Sequence, residues 1–197
     1  MTAKEFYGPS FSLMCRAKDQ VLDVVEQGKR AWEGQRPVLY TSARIKSPSS
    51  MCRKLAQRGL PQTRQAALSQ IRDGIGVRVI CAFHSDVYRM ARWLEERPEF
   101  VVLETKDYIS RPKANGYRSY HLILGIRAGQ GKGMTVEVQL RTIATDFWAS
   151  LEHQMKYKKK VPHEGLIREE LKRCADEIAS VDLSMETIRE LLARGFA

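Results

Sequence analysis

No stretch of this 197-residue chain is apolar for long. Its hydrophobic runs fall far short of the ~20 residues that span a bilayer, and residues 1–6 hold no apolar core of a secretory leader. No membrane association is expected, and the expected compartment is the cytoplasm. Cysteine is scarce and scattered: Cys15, Cys52, Cys81 and Cys174 stand far apart, with no Cys-x-x-Cys. That spacing argues against a zinc ribbon or a disulfide framework and for buried thiols in a reducing compartment. Low-complexity tracts and internal repeats are lacking as well, which leaves no reason to expect a solenoid or a disordered tail. The most informative absence is of acid. Between Gly34 and Arg72 there is no Asp or Glu, although Arg36, Arg44, Lys46, Arg53, Lys54, Arg58, Arg64 and Arg72 stand there. A solvated basic face normally intersperses acids, so this segment reads as a surface for phosphates.

What is present agrees. The chain carries 33 Lys+Arg against 23 Asp+Glu, a formal charge of +10. Such a balance points to polyanions: nucleic acid, anionic lipid or phosphorylated small molecules. A hydrophobic fraction of 43% suits a globular fold. The length suits one domain with helical appendages. The expected organisation is an N-terminal helical segment over 1–37, a central domain over 38–160 and a C-terminal helix over 161–197.

The centre of the pattern is residues 135–141 and the helix expected after them, over 142–157. Strand side chains alternate between faces. Val136, Val138 and Leu140 therefore point into a core, while Glu137, Gln139 and Arg141 share the other face. A half-exposed strand with solvated polar groups would show the same alternation.

Elsewhere, apolar spacing predicts a helix over 11–33, ended by Gly34 and Pro37. A strand follows over 38–45. Ser47 as N-cap and Pro48 at the first position open a helix that stops at 59–61. Its N-terminus, between Arg44, Lys46, Arg53 and Lys54, suits an anion. A central strand is expected over 71–83, with Asp73 at its start; regular parity would set Asp73 and Arg78 on opposite faces, unless Gly74 and Gly76 alter the pleat. A helix from His84 to about Arg97 has Val87, Met90, Ala91 and Leu94 inward. Strands are expected over 100–109 and 117–125, separated by a basic turn at 111–116. The helix from Thr142 sets Asp146, Ala149, Ser150 and His153 on one side and Phe147, Leu151 and Met155 on the other. After Lys158 to Lys160, the positions Ile167, Leu171, Cys174, Ile178, Val181, Met185, Ile188 and Leu192 repeat at heptad spacing. That stripe fits packing on the parent domain or on another subunit.

Asp73 and Glu137 at strand positions suit a hard ion such as Mg²⁺, which takes oxygen ligands and keeps nucleotide phosphates as well. They equally suit a cap and a surface acid. What narrows the choice is a resemblance. Gly116-Tyr-Arg-Ser-Tyr-His121, Val136-Glu-Val-Gln-Leu-Arg-Thr142, Phe147-Trp-Ala-Ser-Leu-Glu-His153 and Lys156-Tyr-Lys158 resemble the synthetase domain of the RelA/SpoT family. The blocks that start at Arg44 and at Asp73 fit the same family in the same order, so the resemblance runs from about residue 38 to 160. With no hydrolase region before it and no regulatory region after it, the chain resembles the stand-alone small alarmone synthetases.

The resemblance implies an α/β (α+β) nucleotidyltransferase-like fold: a mixed sheet of about five strands flanked by helices, with N- and C-terminal helices. It implies transfer of the β,γ-pyrophosphoryl group of ATP to the 3′-hydroxyl of GDP or GTP, giving ppGpp or pppGpp and AMP. It assigns Asp73 and Glu137 to Mg²⁺, with Glu137 also the base for the 3′-hydroxyl. Arg44 and Arg78 would lie on the adenine, and Lys46, Ser50 and Lys54 would hold the ATP phosphates. Tyr117 would stack on guanine. Lys113, Arg141, His153 and His121 would contact acceptor phosphate or ribose, and Gln139 would orient the site. Homotetramers occur among such synthetases, so a homo-oligomer is expected here. Asp146 departs from the Asn that small synthetases often carry before Phe-Trp-Ala. Two other readings stay open: a toxin-like relative whose acceptor is an adenine nucleotide or the 3′ end of tRNA, and a non-catalytic module that binds RNA or nucleotides.

Overall fold

The computed structural model describes residues 1–32, 36–156 and 163–195. The helix stop expected at Gly34, the lysine run 158–160 and the Tyr157–Lys158 part of the family motif lie outside these residues. In order, the elements are α1 (Ala3–Tyr7), α2 (Ser10–Ala31), β1 (Val38–Ile45), α3 (Pro48–Gln57), α4 (Arg64–Gln70), β2 (Ile75–Cys81), α5 (His84–Glu95), β3 (Phe100–Asp107), β4 (Tyr120–Ile126), β5 (Thr135–Thr142), α6 (Ile143–Lys156) and α7 (Glu164–Gly195).

The five strands form one mixed sheet in the order β1-β2-β5-β4-β3. Only β2 and β5 run parallel; the other neighbours are antiparallel. Alternation then sorts the faces. Val77, Val79, Cys81, Leu122, Leu124, Ile126, Val136, Val138 and Leu140 are buried on one face. They join a single core with Met14, Ala17, Val21, Val24 and Val25 of α2 and Val87, Met90, Ala91 and Leu94 of α5. Trp93 Nε1 donates to the Val24 carbonyl at 2.9 Å and ties the two helices together. The opposite face carries polar side chains over most of its area, and the candidate site lies there.

Several bounds differ from expectation for local reasons. The central strand starts at Ile75, not 71, because its ladder with β1 begins at the Ile45–Ile75 pair. Asp73 therefore sits in the preceding turn, and strand parity does not separate it from Arg78. Tyr117 precedes β4 instead of opening it: Gly116 at φ +88° turns the chain there, and the Asn115 side chain accepts from the Tyr117 N–H at 3.3 Å. Two short helices went unread. α1 carries a full capping box between Thr2 and Glu5, and α4 is capped by Thr63. Of the four thiols, all free, only Cys81 is fully buried, and the other three are half-buried. Among the described residues no helix is long and apolar enough to cross a membrane.

The long α7 departs from a simple heptad reading. Its Leu171, Cys174 and Ile178 pack with Ala175 against Trp148 and Ala149 of α6. Farther along, the inward flank is polar. Asp182 accepts from Thr142 Oγ1 at 2.7 Å. Glu186 accepts from the Ser85 N–H at 2.9 Å and Ser85 Oγ at 3.0 Å, capping α5. Val181, Met185, Ile188 and Leu192 are left exposed, as are Phe147, Leu151 and Met155 of α6.

Candidate active site

Sheet register builds the site as two lateral rows on the polar face. Arg44, Gly76 and Glu137 are neighbours across β1, β2 and β5. One step along, Ser42, Arg78, Gln139 and His121 are neighbours across β1, β2, β5 and β4. All of these but His121, together with Lys46 and Asp73, line a cavity of about 320 Å³. Gly76 is what opens it: a Cβ there would meet nothing within 4 Å, so the floor is bare between Arg44 and Glu137. Gly76→Val should therefore leave stability intact, because a branched residue suits a strand, while it fills the cavity. The expected result is an unchanged melting temperature with the cavity closed to a phosphate-bearing ligand, read by thermal denaturation and calorimetry.

Asp73 stands at the mouth of this cavity. Its Oδ2 accepts from Lys46 Nζ at 2.6 Å and from Lys54 Nζ in a very short contact. Its Oδ1 is buried without a hydrogen-bond partner. Burial opposes the charge on this carboxylate, yet the two ammoniums hold its pKa below the usual range. Lys46 is itself fixed from behind, since the buried Tyr7 donates its hydroxyl to the Lys46 carbonyl at 2.8 Å. Ser50, in the first turn of α3, shares the Ser47 cap: its N–H donates to Ser47 Oγ at 3.4 Å, and its hydroxyl accepts from Ser47 Oγ at 3.0 Å.

Glu137 is gripped at both oxygens. Gln139 Nε2 donates to Oε2 at 2.8 Å, and His121 Nδ1 lies 3.4 Å from Oε1. Behind His121 the donors run in one direction. Arg141, which can only donate, gives an N–H to the Tyr117 oxygen at 2.7 Å. The Tyr117 proton is then free for His121 Nε2, 2.9 Å away. That leaves the imidazole proton on Nδ1, facing Glu137. Burial pushes the Glu137 carboxyl up, but His121 and Gln139 outweigh it and hold the pKa below the usual glutamate range.

The sign follows for both acids. A carboxylate lowered in the fold stabilises it fully above the ordinary carboxylate range, and the contribution is lost as pH falls through the lowered values. Mild acid, down to the ordinary glutamate value, should thus leave Glu137 ionised. Activity should persist to lower pH in wild type than in His121→Ala, in which one of the two groups that lower the pKa is gone. Initial rates across pH check this.

Arg141 closes the row. It donates to Gln139 Oε1 at 3.2 Å and to Asp146 Oδ1 at 2.8 Å, and it lies over the Tyr117 ring at 5.1 Å. Lys113 lies over the rings of Tyr108 and Tyr117 at 4.5 and 5.0 Å. The loop that carries Lys113 and Tyr117 leans on α7. A Cβ on Gly116 would come within 2.5 Å of the Ala175 Cβ, with the Lys172 backbone next to it. Gly116→Ala, strained and crowded at once, should cost about 1–3 kcal/mol and lower turnover by displacing Lys113 and Tyr117. Denaturant midpoints and steady-state kinetics read the two effects.

Asp73, Glu137, Arg44, Lys46, Lys54, Arg78, Gln139, His121, Tyr117, Arg141 and Lys113 are thus joined by contact or by a shared cavity, and Ser50 adjoins them at the cap of α3. His153 stands apart: it is exposed on α6, seven residues and roughly 10 Å along the axis from Asp146. Two groups had no assigned role in the sequence. Tyr40 donates to Asp146 Oδ2 at 2.9 Å; the period-two pattern that aligns it with Ser42 and Arg44 was the available signal. Asp146 is buried beside Arg141 and Arg78.

The residues fit a hard divalent cation. Two carboxylates approach one cavity, and one buried carboxylate oxygen has no partner. Among the described residues no three His, Cys, Asp or Glu side chains converge. An ion held here would therefore draw its other ligands from phosphate and water, as Mg²⁺ does.

Asp73 and Glu137 line one cavity together with Arg44, Lys46 and Arg78, a set of groups suited to phosphate and a hard cation. The comparisons name the family. The chain belongs to the RelA/SpoT family, since the region found in RelA / SpoT proteins matches residues 43–162. It is 36% identical over 177 residues to the GTP pyrophosphokinase YwaC of Bacillus subtilis, covering 88% of this chain and 84% of that one. Its structure superposes on small alarmone synthetase 2 of B. subtilis with a TM-score of 0.81 at 34% identity, over 92% of this chain and 98% of the other. Small alarmone synthetase 1 of B. subtilis, bound to its product pppGpp, superposes with a TM-score of 0.80 at 27% identity, over 96% and 97% of the two chains.

Proposed function

We propose that this protein is a (p)ppGpp synthetase of the stringent response, acting in the cytoplasm. It transfers the β,γ-pyrophosphoryl group of ATP to the 3′-hydroxyl of GDP or GTP and releases AMP. The observation that carries this is the placement of Glu137: it lies between a cavity framed by Arg44, Lys46, Asp73 and Arg78 and a cluster of His121, Tyr117 and Arg141.

ATP occupies the cavity. Arg44 and Arg78 flank the adenine, since a planar guanidinium stacks on a base where an ammonium does not. Lys46, Lys54 and Ser50 take the phosphates. Tyr117 stacks on the acceptor base, and Lys113, Arg141 and His121 serve its phosphates and ribose, with His153 of α6 outside this cluster. The 3′-oxygen attacks the β-phosphorus of ATP, the bond from that phosphorus to the α,β-bridging oxygen breaks, and AMP leaves with the oxygen. The 3′ proton passes to Glu137, which Gln139 and His121 hold ionised and aimed. Mg²⁺ on Asp73 and Glu137 would supply charge neutralisation for the phosphates. Holding two nucleotides in line can itself supply roughly 7–11 kcal/mol of the barrier.

The chain reads as a catalytic unit over 38–160 with helical segments at 1–37 and 161–197, of which α2 joins the core of the unit and α7 serves assembly. The exposed Val181, Met185, Ile188 and Leu192 support a homo-oligomer, with a tetramer favoured. Met185→Glu should shift the protein to smaller species in sedimentation.

The test is an acceptor panel. Protein, Mg²⁺ and ATP labelled on the γ-phosphate are given GDP, GTP, GMP, ADP or deacylated tRNA in parallel. Label on a guanine nucleotide with matching AMP release is the expected result. Label on ADP or tRNA alone would move the protein to a toxin-like branch. Transfer to no acceptor, together with RNA binding that weakens steeply with salt, would make it a binding module.

A further inference from the structure

The carboxylate of Asp146 is nearly sealed, at 6% exposure, in the first turn of α6. It touches three groups from three strands. Oδ1 accepts from Arg141 of β5 at 2.8 Å and lies 3.4 Å from Arg78 of β2. Oδ2 accepts from Tyr40 of β1 at 2.9 Å. Arg78 and Arg141 project from one sheet face on adjacent strands, since Arg78 is level with Gln139 and Arg141 follows two residues on. Two guanidiniums so placed repel. Arg78 shows it: burial first, and Arg141 second, pull its pKa down, while Asp146 pulls the other way. Asp146 is thus the counter-charge that lets both arginines stand side by side, and the α6 dipole favours an acid at that point.

The two arginines belong to different halves of the site. Arg78 lines the ATP cavity. Arg141 reaches Tyr117 and through it His121 and Glu137 on the acceptor side. We propose that Asp146 is a positioning residue that couples the donor and acceptor nucleotide sites, because Arg141, bonded to it at 2.8 Å, and Arg78, held more loosely at 3.4 Å, share its one carboxylate. The inference rests on the assignment of those two sites above. One nucleotide that orders its arginine orders the other arginine through the shared carboxylate. ATP and the guanine nucleotide should then each tighten binding of the other, by the same factor as linkage requires.

The experiment is calorimetric binding of a non-hydrolysable ATP analogue with and without GDP, on wild type, Asp146→Ala, Asp146→Asn and Tyr40→Phe, with KM and kcat from steady-state assays. Wild type is expected to bind each ligand several-fold tighter in the presence of the other. Asp146→Ala should weaken both ligands at least tenfold and abolish that mutual effect. Asp146→Asn keeps an acceptor oxygen but not the charge, so it should recover part of both affinities. Tyr40→Phe should shift both in the same direction by less. Should Asp146→Ala fail to fold, the asparagine and phenylalanine variants carry the test. The inference is overturned if the variants lose only melting temperature while both affinities and the mutual effect survive, or if only one ligand weakens. A wild type that binds both nucleotides with mutual tightening but transfers nothing would overturn the proposed activity and leave the coupling standing. A wild type that binds neither overturns both.

Discussion

Glu137→Gln is expected to reduce pyrophosphoryl transfer by roughly two to four orders of magnitude, the usual worth of a positioned general base, with ATP binding retained. The substitution is nearly isosteric. An amide oxygen can still accept from Gln139, 2.8 Å away, and the variant side chain can still face His121. What it lacks is the negative charge, and with it the basicity that takes the 3′ proton. His121 and Gln139 depress the Glu137 pKa against its burial, so the wild-type group is ionised throughout the neutral range and the loss should be flat across it. Single-turnover rates beside calorimetric ATP titration separate chemistry from binding. Normal turnover in this variant would remove Glu137 from the mechanism.

Asp73→Asn is expected to act through charge. Asp73 is the common partner of Lys46 and Lys54, and its second oxygen is buried without a partner. Lewis-acid stabilisation of phosphoryl charge is worth on the order of several kcal/mol, and each ~1.36 kcal/mol is tenfold in rate. A loss of about a hundredfold or more at fixed Mg²⁺ follows. This one should recover in part as Mg²⁺ is raised, and to a higher plateau than the Glu137 variant, which loses the general base as well as a ligand. A Mg²⁺ titration of initial rate in both variants tells them apart; identical Mg²⁺ dependence in Asp73→Asn and wild type would show that Asp73 serves only to hold the two lysines.

Much of the site was legible because it depends on strand parity and helix caps, which are local. The alternation in 135–141 set Glu137, Gln139 and Arg141 on one face, and the structure shows them bonded in a row. Ser47 and Pro48 fixed the start of α3. The mixed sheet, in contrast, followed from family resemblance and not from spacing, because the order β1-β2-β5-β4-β3 is set by crossovers that no short window contains. Residues whose partners lie far along the chain were missed. Asp182 and Glu186 interrupt an apparent heptad in α7, and they are tolerated because Thr142 and Ser85, 40 and 101 residues away, satisfy them. Asp146 stood out in the sequence only as a departure from the family's Asn, because its partners Tyr40, Arg78 and Arg141 lie on three strands that no short window contains. The capping box at Thr2 and Glu5 was visible in the sequence, but a helix of five residues has too little periodicity to draw attention to it.

The central claim is the transfer of two phosphates as one unit, and a double-label experiment tests it most directly. ATP labelled at the β- or the γ-phosphate is incubated in parallel with GDP, Mg²⁺ and the protein, and the products are separated. The account predicts both labels in one guanine nucleotide in equal yield, with unlabelled AMP formed in the same amount. Transfer of the γ label alone with release of ADP, or both labels released as free pyrophosphate, would contradict it.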